Sequence, residues 1–141
     1  MPKRFFGRNQ DRVDFLINCL TGLKISDAQA IAGQMNAGTD QRVAARRMAQ
    51  SLARAQGRSA DWSAGRAYGS SAVDAAAYDA EHVHYSEISR GRSHWAAVRE
   101  ACRDAAAVAA ISDILDPATA EILAGPVALA CPSLRPLIFG R

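Results

Sequence analysis

Residues 93–115 constrain the fold more than any other part of the sequence. They lie within the longest run without glycine or proline, and this run is rich in residues that favour helices. In the first half of the segment apolar residues recur at three- and four-residue steps, and the second half carries no charge from residue 105 to 111. A helix that is apolar on all sides must be surrounded by other helices, so we predict a central helix over about residues 94–115.

The composition indicates the fold class. Hydrophobic residues make up 49% of the 141 residues but aromatic residues only 6%, so that alanine dominates the apolar content. Alanine favours close-packed helices, whereas sheets are built on β-branched and aromatic residues. We therefore predict an all-α, compact single-domain bundle of five to seven helices around the Ala-rich helix, followed by an irregular proline-containing C-terminal tail.

Three segments differ in character along the chain. Residues 1–10 combine basic residues with Phe5 and Phe6, which suits either a nucleic-acid-binding arm or a disordered terminus. Residues 11–125 contain the helical patterns. Residues 126–141 are apolar but rich in proline, so we expect them to pack on the bundle or on a partner. The candidate partner-binding residues in this segment are Leu134, Leu137, Ile138 and Phe139.

The first part of the chain predicts three helices. An apolar stripe marks residues 11–23, and Ser26 with Gln29 predicts a capped second helix that ends at Gly38. We expect these two helices to form an antiparallel hairpin. A third, basic helix follows over residues 40–56, and the two helices around Gly38 have the approximate size of a helix-turn-helix.

The third helix carries the most basic surface predicted for the chain. Its candidate nucleic-acid-binding residues are Arg42, Arg46, Arg47, Arg54 and Arg58. A solvated arginine-rich face would give the same pattern. Residues 1–66 hold eleven Lys or Arg and five Asp or Glu, whereas residues 67–141 hold six and nine. This asymmetry predicts either an anionic partner for the first half or attraction between the two halves, of which the second is the commoner arrangement.

Residues 59–89 permit two interpretations. Ser71 could cap a new helix after a break at Gly69, or the whole stretch could form one long helix with a seam of small residues. Gly65 and Gly69 would then let this helix approach the central helix closely. After the central helix, Asp116 and Pro117 predict the start of a short helix that stops at Gly125.

Chemical motifs are sparse. The weak metal candidates are Glu81, His84 and His94; the first two form an E-x-x-H, but a di-iron site needs a second such motif, and the sequence has none. His84 falls on the small-residue stripe, where a structural histidine is commoner than a ligand. The three cysteines form no CxxC pair, and neither a nucleotide-binding glycine loop nor a nucleophile elbow occurs. We therefore expect no cofactor, no bound metal and no catalytic residues.

Localisation and function follow from these patterns as expectations. The sequence has no apolar segment typical of a signal peptide or a membrane span, which predicts a cytoplasmic protein without membrane contact, and the Ala- and Arg-rich composition is typical of bacteria with GC-rich genomes. The favoured function is a non-catalytic helical adaptor, regulatory or accessory subunit that binds another protein or a second copy of itself. The alternatives are a nucleic-acid-binding regulator that uses the helix over 40–56 and, less favoured, a metal-binding helical-bundle enzyme.

Overall fold

The computed structural model describes residues 7–83 and 92–140, and these residues form a compact all-α bundle. This confirms the predicted fold class. Short 3-10 turns lie at Gly7–Asn9 and Pro132–Leu134. The α-helices of the described ranges are α1 (Gln10–Thr21), α2 (Ile25–Gln34), α3 (Thr39–Ala55), α4 (Ser59–Val83), α5 (Arg92–Ala110), α6 (Pro117–Ala130) and α7 (Arg135–Phe139).

Helix α5 lies at the centre of the bundle, as predicted. It packs against α1, α2, α4, α6 and α7, most extensively against α4. All side chains from residue 104 to residue 111 are buried, because neighbouring helices cover every side of this segment. The charge-free half of the predicted helix is therefore the core of the protein.

Helix α5 ends at Ala110, five residues before the predicted end, and residues 111–115 form a turn. Its last carbonyl groups accept hydrogen bonds from side chains of other elements. Asn9 and Arg58 donate to the carbonyl oxygen of Ala110 at 3.1 and 3.0 Å, and Arg12 donates to that of Ala109 at 3.3 Å. These bonds satisfy groups that a helix end leaves without internal partners.

Arg12 also ties the C-terminal segment to the bundle. Its guanidinium donates to the carbonyl oxygens of Leu137 and Ile138 at 2.6 and 3.3 Å and to the hydroxyl of Ser112 at 2.7 Å. Burial lowers the pKa of Arg12, and the nearby carboxylate of Asp113 partly opposes this effect. One side chain thus joins α1, the end of α5 and α7.

We predict that the carboxylate of Asp113 makes the stability of the fold depend on pH in the acid range. Its carboxylate accepts hydrogen bonds from Arg58 at 2.8 Å and from Asn9 at 2.8 Å, and the bond from Arg58 is the main reason why the pKa of Asp113 lies below its ordinary value. A carboxyl group whose pKa is lowered by folding stabilises the fold above its unfolded pKa of about 4, and this contribution is lost as the pH falls through the lower folded value.

We therefore expect the substitution Asp113→Asn to reduce the loss of stability between neutral pH and pH values below about 4. Thermal unfolding of both proteins across this range, followed by circular dichroism, measures the effect. Parallel melting temperatures of the two proteins at every pH would contradict the prediction.

Helix α4 is a single helix of 25 residues that runs through Gly69 without a break, so the long-helix interpretation is correct for residues 59–83, while residues 84–89 lie outside the described part of the chain. It approaches α5 at Gly65 and Gly69. A Cβ atom added to Gly65 would lie 2.9 Å from the carbonyl oxygen of Ala106, and one added to Gly69 would lie closer than 3.0 Å to that of Cys102. The predicted role of these two glycines in close helix packing is confirmed.

The local prediction for the second helix is wrong. Helix α2 begins at Ile25, and the carboxylate of Asp27 accepts a hydrogen bond from the backbone N–H of Lys24 at 3.0 Å. Gly38 has a φ of 75°, but it precedes α3 instead of closing α2. Asp27, three residues inside the helix, binds the backbone N–H of the N-cap residue Lys24, and this bond stabilises a start two residues before the one that Ser26 and Gln29 predicted.

The predicted hairpin of the first two helices is also wrong, although the apolar stripe of α1 is buried as expected. Helix α1 packs mainly on α4 and α5, whereas α2 packs mainly on α5 and α6. Both helices therefore bury their apolar sides against the central part of the bundle instead of against each other.

Helix α6 continues beyond Gly125, the residue at which the sequence pattern predicted its end. It begins as predicted, since the carboxylate of Asp116 accepts a hydrogen bond from the N–H of Thr119 at 3.0 Å. Pro126 lies inside the helix, although an interior proline removes a hydrogen bond and costs about 3 kcal/mol. Residues 123–128 are all buried, and the apolar area removed from water offsets this cost.

Candidate functional site

The structure divides the five candidate nucleic-acid-binding arginines into two groups. Arg42 is only 6% exposed, and its guanidinium donates to the carbonyl oxygens of Ala37 and Met35 at 2.6 and 3.0 Å. It therefore fastens the turn between α2 and α3. Helices α2 and α3 pack against α6 more than against each other, so they do not form the mutually packed pair of a helix-turn-helix.

Two more arginines of this set form ion pairs inside the protein. Arg46 binds Asp104 through two hydrogen bonds of 3.0 and 2.7 Å, and Arg58 binds Asp113 and Asp61. Arg46 and Arg58 belong to the basic half of the chain, and Asp104 and Asp113 to the acidic half. Attraction between the halves, one of the two predicted consequences of the charge asymmetry, is thus confirmed.

Arg47 and Arg54 remain exposed on α3, and neither forms an ion pair with any residue of the described ranges. They lie two helical turns apart, and Gln50 lies between them on nearly the same side of the helix. We call these three residues the α3 basic face.

Beside this face lies a cleft of about 450 Å³ between α3, α4 and α5, which we call the basic cleft. Gln50 belongs to both surfaces, so they are continuous. The residues that line the cleft are Arg46, Gln50, Trp62, Ser63, Arg66, Ala67 and Arg103.

Asp104 holds the arginines at one side of the cleft. Its side chain is completely buried, and it contacts Arg66 at 3.5 Å in addition to the two short hydrogen bonds from Arg46. The hydrogen bond to Asp104 raises the pKa of Arg46. Burial lowers the pKa of Arg66, and the charges of Arg103 and Arg46 act in the same direction. Asp104 therefore satisfies Arg46 well and Arg66 only in part.

Arg103 is the least satisfied cation of the cleft. Its Nε atom is shielded from solvent, and no acceptor in the described part of the chain lies within hydrogen-bonding distance of it. Arg66 lies above the ring of Trp62, with 6.0 Å between the guanidinium carbon and the ring centroid. Trp62 itself is only 2% exposed, so it forms the floor of the cleft and offers no open face for stacking.

The sequence patterns did not identify Arg66, Arg103 or Asp104 as site residues. They marked only the apolar positions of the central helix, whereas Asp104 is charged and fully buried. One signal was available, because three of the four neighbours one turn from Asp104 are Ala101, Ala107 and Val108, and the fourth is the anionic Glu100. A carboxylate with no cation among its neighbours on an otherwise apolar helix face needs one from another helix if it is buried.

Only one of the three metal candidates, His94, has a described side chain. His84 lies outside the described residues, and so does the side chain of Glu81, while His94 is exposed near the start of α5. The described ranges contain no group of three His, Cys, Asp or Glu residues that could hold a metal ion. Cys102 is fully buried, and this burial raises the pKa of its thiol strongly, which disfavours the thiolate needed for nucleophilic attack.

The candidate partner-binding residues of the C-terminal segment pack within the bundle. Leu134, Ile138 and Phe139 are at most 8% exposed and belong to the hydrophobic core, and Leu137 is half-buried against it. Arg135 covers the ring of Phe139 and pairs with Glu121 at 2.6 Å. The N-terminal arm lies outside the described residues as far as Phe6, and α1 begins at Gln10.

These features define the protein as an all-α bundle with an arginine-lined surface formed by α3, α4 and α5. None of the helices in the two described ranges has both the length and the apolar character required to cross a lipid bilayer. Comparisons with known proteins found no matching family model, no similar curated protein and no similar solved structure.

Proposed function

We propose that the protein is a non-catalytic nucleic-acid-binding protein that contacts the phosphate backbone through the α3 basic face. The observation that carries this proposal is that Arg47 and Arg54 stay exposed and without ion pairs in the described structure, although Arg46 and Arg58 next to them are paired. Arginines that internal carboxylates leave free are available to an external anion.

The spacing of the α3 basic face suits a polymer of phosphates. Two helical turns separate Arg47 from Arg54 by roughly 10 Å along the helix axis. A planar guanidinium can donate two parallel hydrogen bonds to one phosphate, and Gln50 between the arginines adds an amide donor. The protein as a whole has a formal charge of +3, which favours the approach of a polyanion.

Binding of this kind would be independent of base sequence. Arg42, the arginine in the first turn of α3, is buried and occupied by backbone carbonyl groups. Without a recognition helix that offers side chains to base edges, phosphate contacts position the protein but carry no sequence information.

Protein–protein interaction, the function favoured by the sequence, stays a prediction. Two sequence features suggested it, the seam of small residues and the apolar C-terminal segment. In the structure, Gly65 and Gly69 pack against α5 of the same chain, and Leu134, Ile138 and Phe139 are buried in the same core. Both features form contacts within one chain. The α3 basic face is therefore the better candidate for an external partner.

The test is fluorescence anisotropy with labelled single-stranded and duplex DNA and RNA at about 50 mM salt, where phosphate contacts are strongest. We expect the wild type to bind with an affinity that falls as salt rises. The double substitution Arg47→Gln with Arg54→Gln should weaken binding and reduce the slope of log affinity against log salt by roughly 2, about 1 for each lost phosphate contact.

The matched control is Arg99→Gln. Arg99 is an exposed arginine on α5 that pairs with Asp74 at 3.1 Å, and it belongs neither to the α3 basic face nor to the basic cleft. It should bind like the wild type. Equal behaviour of the control and the double variant, or no binding of any nucleic acid at low salt, would contradict the proposal. Binding to polyglutamate but to no nucleic acid would instead indicate an acidic protein as the partner.

A further inference from the structure

We propose that the basic cleft is a binding site for a single phosphate group, held by Arg66 and Arg103. This site adjoins the α3 basic face at Gln50, but it uses other arginines, so it can bind phosphate whether or not the α3 basic face contacts a nucleic-acid backbone. Its basis is the imbalance between cations and acceptors inside the cleft.

Three arginines line the cleft, and the carboxylate of Asp104 is the one that forms ion pairs with them in the described structure. Asp104 uses both oxygens for Arg46 and makes only a 3.5 Å contact with Arg66. Glu100 also acts on Arg46 and Arg66, but it forms no hydrogen bond with either of them. Arg66 and Arg103 therefore keep terminal guanidinium donors for a ligand in the cleft, whereas the Nε atom of Arg103 is shielded and adds only to the local excess of positive charge.

Such an arrangement favours an anionic ligand. Arginine stays protonated in proteins, and Arg66 and Arg103 are both partly shielded from water, so an acceptor in the cleft would replace hydration that their guanidiniums have lost. Burial and two neighbouring cations already lower the pKa of Arg66. A phosphate group carries up to two negative charges and several acceptor oxygens, so it can serve Arg66 and Arg103 together.

The other groups of the cleft agree with phosphate chemistry. Gln50 and Ser63 provide an amide and a hydroxyl beside the arginines, and both are exposed. The volume of about 450 Å³ exceeds that of one phosphate and leaves room for a group esterified to it. The ligand can thus be a free phosphate ion or the phosphate at the end of a nucleic-acid strand.

The experiment follows the arginine Nε–Hε signals in nitrogen–proton correlation spectra of the full chain. Inorganic phosphate is titrated through the millimolar range at constant ionic strength, with chloride as the balancing anion. We expect saturable shifts of the Arg66 and Arg103 signals, whereas the signal of Arg99 should stay in place. No shift, or shifts of equal size at all arginines, would overturn the proposal.

Lysine substitutions test the geometry, because lysine keeps the charge but lacks the planar fork. Arg66→Lys and Arg103→Lys should each weaken phosphate binding by about tenfold, the loss expected for one charge-assisted hydrogen bond. Arg99→Lys is the matched control. If the cleft variants and the control bind phosphate with the same affinity, the proposed site is wrong. If a variant does not fold, the titration of the wild type with phosphate tests the proposal instead.

A second arm identifies the source of the phosphate. Oligonucleotides of one sequence, with either a 5′-phosphate or a 5′-hydroxyl end, are compared in the anisotropy assay. If the phosphorylated strand binds the wild type more tightly than the hydroxyl strand, and Arg103→Lys abolishes this difference, the ligand is a strand end. If both strands bind the wild type equally, the ligand is free phosphate. Phosphate shifts that persist when no oligonucleotide binds would contradict the proposed function but leave the cleft site intact.

Discussion

Replacing Gly69 with alanine is expected to lower the free energy of unfolding by about 2–3 kcal/mol, although alanine is the better helix former. The added methyl group would lie closer than 3.0 Å to the carbonyl oxygen and within 3.0 Å of the carbonyl carbon of Cys102. Both atoms belong to the backbone of α5, so no side-chain rotation can relieve the contact. Helix α4 or α5 must move instead, and this would open the most extensive helix contact in the protein.

The matched control is Gly33→Ala in α2. Gly33 is also inside a helix, but an added Cβ atom meets nothing within 4 Å. Both substitutions replace a helical glycine with alanine, Gly33 in the last turn of α2 and Gly69 in the middle of α4, so the sign of the difference between them reports the packing contact. We expect Gly33→Ala to stabilise the protein by roughly 0.5–1 kcal/mol.

Urea and thermal unfolding of the three proteins measure these effects. For a chain of this size, about 2–3 kcal/mol corresponds to a melting temperature that is roughly 10 °C lower. Gly65→Ala should also destabilise, because its added methyl group would lie 2.9 Å from the Cα atom of Ala107. The close packing of α4 on α5 would be refuted if Gly69→Ala were as stable as Gly33→Ala.

The second large effect is expected from Asp104→Asn, which should destabilise the fold by about 3 kcal/mol. Asparagine preserves the shape of the side chain but removes its charge. Arg46 would lose a bidentate carboxylate partner and Arg66 its nearest anion, while both cations remain partly shielded from water. Removing one member of a buried ion pair is costly mainly because it leaves the other charge uncompensated.

Asp74→Asn provides the control for this substitution. The carboxylate of Asp74 is 60% exposed and pairs with Arg99 at 3.1 Å, so its loss should change stability by less than about 1 kcal/mol. A double-mutant cycle adds Arg46→Met, which removes the stranded cation. We expect Arg46→Met to recover part of the stability in the Asp104→Asn background. Equal stabilities of Asp104→Asn and Asp74→Asn would show that the buried pair contributes little.

Local patterns predicted the helical elements well, and the reason is physical. The apolar stripe of α1 and the charge-free half of α5 follow the 3.6-residue period, which depends only on neighbours in the chain. Errors occurred where tertiary contacts outweighed local preference. Pro126 is accommodated inside α6, where the surrounding residues are buried, and α5 ends early at a place where Asn9, Arg12 and Arg58 donate hydrogen bonds to its last carbonyl groups.

The candidate site was only partly predictable for a similar reason. The basic character of α3 is visible in the sequence, but which of its arginines stay free depends on carboxylates elsewhere. Asp104 lies 58 residues after Arg46, and Asp113 lies 55 residues after Arg58. No local pattern links such positions, so Arg47 and Arg54 could not be separated from their paired neighbours.

The sequence by itself determined that this protein is an all-α bundle around an alanine-rich helix, because helix formation and the position of its apolar side are set by the order of neighbouring residues. Only the tertiary structure decided which helices pack together, which charges cancel and where a cleft remains. Those outcomes depend on contacts between residues far apart in the chain. Arg66 and Arg103 form one surface only after α4 has packed against α5 through Gly65 and Gly69.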